Sequence, residues 1–145
     1  MEIQFVTLKE IEKVAPLFNN YRVFYGQADD LLAAMAFLSE RLTNNESVIL
    51  AAIHNNEYAG FTQLYPTFSS VAMKRAFILN DLYVDENFRR LGIAEELMKA
   101  AFRYAESHDA RFIALETGCE NVQAQALYEK MGMIQEEVKH YIRYW

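Results

Sequence analysis

Apolar residues at Ile3, Phe5 and Leu8 alternate as in a short strand, and the pattern hands over to a helix at Thr7. Thr7-Leu8-Lys9-Glu10 matches a capping box, in which the threonine accepts from a helix N–H and the glutamate reaches back. Ile11, Val14, Ala15 and Phe18 then recur at helical spacing up to a stop signal at Asn19-Asn20. A second helix is predicted from Asp29, carrying Leu32, Met35, Ala36, Leu38 and Leu42 to Asn44.

The run Ser47-Val48-Ile49-Leu50-Ala51-Ala52-Ile53 is apolar and short, the mark of a buried strand. Asn55-Asn56 is a turn signal, and residues 58–65 return as the hairpin partner, ended by Pro66. Residues 67–75 read as a loop and residues 76–84 as the next strand. From Gly92 a long helix presents Ile93, Leu97, Met98, Ala101 and Ala105 on one stripe. Residues 112–116 are predicted to form a parallel strand, and residues 121–131 a helix capped by Gly132. Residues 138–145 read as a final aromatic strand, with room for one more short strand over residues 133–135. The order β-α-α-β-β-β-α-β-α-β implies an α/β chain with a mixed sheet flanked by helices.

Composition narrows the class. At 145 residues the chain suits one domain, 1–145, and a hydrophobic share of 52% argues against disorder. No apolar run approaches the roughly 20 residues that a membrane-spanning helix needs. Met1-Glu2-Ile3-Gln4 lacks the basic start and apolar stretch of a secretory signal. The one cysteine, Cys119, forms no internal disulfide, so a reducing cytoplasm is the expected compartment. The net charge of −6 repels nucleic acid and suits an amine-bearing partner.

The chemistry concentrates from the second half of the strand over residues 76–84 onward. Asn80-Asp81-Leu82-Tyr83-Val84 leads through Arg89-Arg90-Leu91-Gly92-Ile93-Ala94 into the amphipathic helix. A helix start offers unpaired N–H groups and partial positive charge, and the two arginines add to it. Gly92 lets the main chain come close to a ligand, so the segment suits a pyrophosphate. Other sites are excluded by their own requirements. A dinucleotide fold needs spaced glycines, a P-loop needs Gly-Lys-Ser/Thr, and neither string is present. His54, His108 and His140 lack companions at ligand spacing, so no metal is expected. No serine stands in a nucleophile elbow.

These residues resemble the GNAT superfamily of acetyl-CoA-dependent N-acetyltransferases. The family's loop reads Arg/Gln-x-x-Gly-x-Gly/Ala, matched by Arg89, Gly92 and Ala94, and its preceding strand is matched by Leu82-Tyr83-Val84. A second family segment, Asn-x-x-Ala-x-x-Leu-Tyr-x-x-x-Gly-Phe, is matched over residues 121–133, with Met133 in place of the aromatic. The resemblance implies the GNAT fold, a largely antiparallel sheet with a splayed parallel pair. It implies acetyl-CoA held by Leu82, Tyr83, Val84, Arg89, Arg90, Leu91, Gly92, Ile93, Ala94, Asn121, Ala124 and Tyr128. Tyr128 would protonate the departing thiolate, and the Val84 N–H would polarise the thioester carbonyl. On spacing alone Tyr128 also fits a core position, and Asn121 also fits a helix cap.

For the acceptor amine a proton acceptor is needed, because an alkylammonium does not attack. Asp81 and Glu116 are candidates, and Asp81 also reads as a buried structural carboxylate. Relatives acting on polyamines carry a glutamate where Asn80 stands, so the resemblance points away from a polyamine. Tyr21, Phe24 and Tyr25, taken to lie between the first two helices, resemble the family's acceptor wall, with Arg22 available to a substrate carboxylate. Tyr65 and Phe68 would close the other side, and Asn80 would face the acceptor. Cys119 has no histidine close in sequence to activate it, so transfer is expected to be direct, in a ternary complex. The resemblance thus implies an N-acetyltransferase acting on a small amine, amino acid or protein amine; the alternative is a non-catalytic acyl-CoA sensor. Residues 138–145 are expected either to pair across a homodimer or to pack on their own sheet.

Overall fold

A computed structural model describes residues 1–145. Its elements are β1 (Glu2–Phe5), α1 (Ile11–Phe24), α2 (Leu31–Thr43), β2 (Val48–His54), β3 (Glu57–Ser69), β4 (Lys74–Val84), α3 (Ile93–Ser107), β5 (Ile113–Ala114) and α4 (Val122–Lys130). The strands form one sheet in the order β1-β2-β3-β4-β5. The first three pairings are antiparallel, and β4 with β5 is parallel.

Each face of the sheet carries its own core. On one, Ile11, Val14, Leu17 and Phe18 of α1 and Ala34 and Leu38 of α2 pack on Ile49, Ala51 and Phe61. On the other, the α3 stripe of Ile93, Leu97, Met98, Ala101 and Ala105 packs on Leu50, Ala52, Leu64, Phe77 and Leu79. Burying one such leucine or isoleucine contributes about 1.5–3 kcal/mol, so the stripe fixes how α3 lies on the sheet.

Local chemistry sets the joints. The capping box forms as expected: the Lys9 N–H donates to Thr7 Oγ1 at 3.3 Å, and the Thr7 N–H to Glu10 Oε2 at 3.0 Å. It opens a short 3-10 turn, Leu8–Glu10, ahead of α1. Asn55 and Asn56 both adopt positive φ, 51° and 64°, between the paired residues His54 and Glu57. That is the backbone of a two-residue hairpin turn matching strand twist.

Several expected boundaries move. The pair Asn19-Asn20 does not end α1, because Asn19 turns inward: its Nδ2 donates to Asp29 Oδ1 at 2.7 Å, and the Asp30 N–H donates to its Oδ1 at 3.0 Å. Pro66 does not end β3, which runs on to Ser69 and pairs Pro66 with Phe77. β2 reaches only as far as Leu64, so Pro66 sits where β3 has one neighbour and a missing N–H is tolerated. The expected loop over residues 67–75 therefore shrinks to a turn. The expected strand over residues 112–116 is reduced to Ile113–Ala114. Residues 133–135 and 138–145 form no strand, and Val138, Tyr141, Tyr144 and Trp145 are exposed. Their apolar character has no sheet partner within this chain.

Candidate active site

The site begins with a fault in the sheet. Along β3 and β4, Leu64 pairs with Leu79 but Gln63 pairs with Asp81, so Asn80 is an extra residue, a β-bulge. The bulge reverses the alternation of β4. Phe77 and Leu79 pack with α3 before it, and Leu82 and Val84 do so after it. Asp81 and Tyr83 are left on the α1 face, where Tyr83 packs against that core.

The bulge also turns the main chain. Before it, the Phe77 N–H donates towards β5, to Phe112 O at 3.0 Å. After it, the Asp85 N–H donates towards β3, to Ala59 O at 2.8 Å. A period of two then points the Leu82 and Val84 N–H groups to the opposite edge. That edge is open, because β5 pairs only with Phe77 and Ile78. An open edge with unpaired donors and acceptors can take an extended ligand as an added strand.

The pyrophosphate turn stands directly beside it. Gly92 caps α3 with φ +76°, and no side chain satisfies the N–H groups that start the helix. A side chain on Gly92 would meet nothing within 4 Å, so the turn faces open space. Arg90 shares the left-handed backbone, with φ +66°. Arg89, Arg90 and Leu91 are exposed, whereas Ile93 is buried and can offer a ligand only its main chain. Arg89 Nε donates to Val84 O at 3.3 Å, which ties the loop to the strand end. A Cβ at Gly60 would lie 3.3 Å from both Ile93 Cγ2 and Val84 Cα, which shows how tightly β3 fits against both. An uncapped helix start next to an open strand edge suits a ligand with an anionic and an amide-bearing part.

A buried polar ladder crosses the α1 face. Ser47 Oγ donates to Gln63 Oε1 at 2.7 Å, and Gln63 Nε2 donates to Asp81 Oδ2. Asn80 Nδ2 donates to Asp81 Oδ1 at 2.7 Å. Asp81 is 1% exposed, and burial pushes its carboxyl above the ordinary value, against the hydrogen bonds from Asn80, Gln63 and Tyr21. The Tyr21 hydroxyl has one proton for two nearby acceptors, and in the structure it donates to Asn80 O at 3.2 Å. Its own ionisation is pushed up by burial and by the Asp81 charge. Tyr65 is pushed up to about 12 by burial first and then by Asp81. Both phenols are therefore neutral at ordinary pH.

The aromatic group assembles, but from α1 itself and not from the connection after it. Tyr21 and Phe24 lie within α1 and Tyr25 caps its end. Tyr21 and Tyr25 meet at 5.0 Å, Phe24 and Tyr25 at 5.1 Å, and Tyr21 and Tyr83 at 6.4 Å. Arg22 is partly buried and makes no ion pair. Phe68 is exposed beneath the Arg75 guanidinium and stands apart from this group. Glu116 is exposed and pairs with His140 Nδ1 at 3.2 Å instead of joining Asp81.

On α4, Asn121 performs the capping role, its Oδ1 accepting from the Ala124 N–H at 3.3 Å. Tyr128 is half-buried against the α3 core, and burial, then the neighbouring Tyr25, raises its ionisation. Lys130 Nζ bridges to Glu95 Oε2 at 2.8 Å, linking α4 to the start of α3. Cys119 is exposed. No three His, Cys, Asp or Glu side chains gather at metal-binding distance, and no helix is long and apolar enough to cross a membrane. Gln63, Ser47 and Gly60 escape sequence reasoning. The available signal for Gln63 was a lone amide inside an apolar strand run.

Mixed sheet, opened strand edge and uncapped helix start together define the acetyltransferase class of fold. A family model described as "Acetyltransferase (GNAT) family" matches residues 11–133, and the chain belongs to that family of enzymes. It is 51% identical over 132 residues to the uncharacterized N-acetyltransferase YhfO of Bacillus subtilis strain 168, covering 91% of this chain and 89% of that protein. A crystal structure of a probable acetyltransferase superposes with TM-score 0.94 at 39% identity, over 100% of this chain and 98% of that one. An aminoglycoside acetyltransferase, meta-AAC0020, from an uncultured soil metagenomic sample shares the fold with TM-score 0.86 at 18% identity, covering 99% and 95%.

Proposed function

We propose that the chain transfers the acetyl group of acetyl-CoA to a primary amine, by direct attack within a ternary complex. The observation that carries this reading is the open β4 edge at Leu82–Val84 lying beside the uncapped start of α3. Main-chain N–H groups from Arg90 to Ala94 hold the pyrophosphate, with charge from Arg89 and Arg90. Leu82, Tyr83 and Val84 pair with the pantetheine arm, and Asn121 and Ala124 flank it from α4. The thioester supplies an activated acyl group. The Val84 N–H stabilises negative charge developing on its carbonyl oxygen. Tyr128, kept neutral by its half-buried site, donates a proton to the leaving sulfur.

Asp81 accepts the proton lost by the amine. Its carboxylate is sealed from solvent, so the proton moves through Tyr21: the hydroxyl turns from Asn80 O to Asp81, and the amine proton goes to the phenol oxygen as the phenol proton goes to Asp81. Burial makes the carboxylate a stronger base than an exposed one, which favours that transfer. Tyr21, Phe24, Tyr25 and Tyr65 line the acceptor cleft with Asn80, and Arg22 stands at its rim. The acceptor is a small amine, an amino acid or a protein amine.

The same reading places the enzyme in the cytoplasm. It also makes the exposed apolar residues 138–145 a contact between two copies, which light scattering at micromolar concentration tests. The chemistry is tested by thiol release from acetyl-CoA across a panel of amines. An N-acetylated product with any of them supports the proposal. Thiol release that is independent of amine would contradict it.

A further inference from the structure

The ladder beneath the cleft contains two residues to which the reaction so far assigns no part. Gln63 is fully buried in β3, where its neighbours Phe61 and Leu64 are core. A buried amide is costly unless both its ends are bonded, and here both are. Its orientation follows from chemistry. Turned over, Gln63 would set its own oxygen against a carboxylate oxygen, two acceptors face to face. Ser47 Oγ supports the other end; its hydroxyl could donate or accept, so the Asp81 carboxylate sets the sense of the amide and Ser47 steadies it. Asn80 holds the second carboxylate oxygen, and Tyr21 of α1 stands beside the pair with its hydroxyl on Asn80 O. No buried polar side-chain atom is left without a partner.

We propose that Gln63 and Ser47 are positioning residues: Ser47 supports the Gln63 amide, and Gln63 holds Asp81 ionised and in place beside Tyr21. This rests on the reading of Asp81 as proton acceptor. The bulge explains why β3 supplies the partner, since it brings Asp81 opposite Gln63. The groups facing Asp81 are few. From α1 they are Tyr21 and, behind it, Tyr25; from β3 Gln63 and Tyr65; from its own strand Asn80 and Tyr83. The nearest cation, Arg41 of α2, is ion-paired with Glu40 and Glu46 and acts on Tyr65 only through its charge. None is an ionised partner to the carboxylate, so neutral donors carry the task of keeping it charged.

The test is the carboxyl carbon resonance of Asp81, followed against pH by NMR in the full chain and assigned by its loss in Asp81→Asn. In Gln63→Met the midpoint moves to higher pH, because the anion loses a donor. In Ser47→Ala it moves the same way by less, since only the support of that donor is lost. A midpoint unmoved or lowered in folded Gln63→Met overturns the proposal. Should that variant not fold, Ser47→Ala decides by the same criterion. With any amine that the enzyme acetylates, the acidic limb of kcat/KM shifts upward in parallel. A titration that moves while that limb stays fixed would remove Asp81 as proton acceptor and leave the ladder standing.

Discussion

Gly60 ties the fold to the site, and its replacement by alanine has a calculable cost. An added Cβ would lie 2.8 Å from Tyr83 O and 3.3 Å from Val84 Cα and Ile93 Cγ2. Ordinary contact begins near 3.4 Å, so β3 and β4 must part by roughly 0.6 Å at the place proposed to hold the thioester. No flexible side-chain tip takes up the strain at Tyr83, because the nearest atom is main chain. Overpacking of this kind costs about 1–3 kcal/mol. Loss of glycine's freedom in the unfolded chain returns about 0.4–1 kcal/mol. A net loss of about 1–2 kcal/mol lowers Tm by roughly 3–6 °C for a chain of this size. Displacing the edge also weakens the main-chain bonds to the coenzyme arm, and Kd rises about tenfold for each 1.4 kcal/mol lost. Differential scanning calorimetry and acetyl-CoA titration read the two effects. A Gly60→Ala enzyme with unchanged Tm and unchanged coenzyme affinity would refute the placement of β4 against β3 and α3.

Other perturbations separate the parts of the site. Gly92→Ala meets no neighbour but must hold φ near +76°, so it costs about 1–2 kcal/mol of backbone strain and weakens coenzyme binding, read by unfolding and titration. Tyr128→Phe lowers kcat about 100-fold or more while leaving acetyl-CoA affinity unchanged; steady-state thiol release checks it, and a full rate would remove Tyr128 as the acid. For Asp81 the carboxyl is raised in the folded state. As pH climbs through the ordinary carboxylate range the unfolded chain therefore releases its proton first. Wild type then loses stability relative to Asp81→Asn until the folded carboxyl also ionises, and denaturation across that pH range shows a widening and then constant gap.

What could be read from the sequence was local or periodic. The Thr7 capping box, the Asn55-Asn56 turn and the α3 stripe each draw on residues within a few positions, and all appear as expected. The loop and strand motif stood out because Arg89, Gly92 and Ala94 fall at fixed spacing. Misreadings arose where a distant partner decides. Asn19 looked like a stop, but its side chain is spent on Asp29 and Asp30 across the α1–α2 connection. Pro66 looked like an end, because nothing in β3 reveals that β2 stops short of it. The bulge at Asn80 depends on register with β3, so simple alternation could place Asn80 and Asp81 on opposite faces but could not show that the parity of β4 reverses. The Ser47–Gln63–Asp81 ladder is a product of that register. Residues 138–145 carry strand-forming residues without a strand, because propensity cannot supply a neighbour.

The central claim is that the Gly92 turn and the β4 edge together form a coenzyme A site. Isothermal titration of the protein with acetyl-CoA tests it most directly. The account predicts saturable, equimolar binding that Gly92→Ala and Gly60→Ala both weaken. No binding to the folded wild-type protein, or binding indifferent to both substitutions, would contradict it.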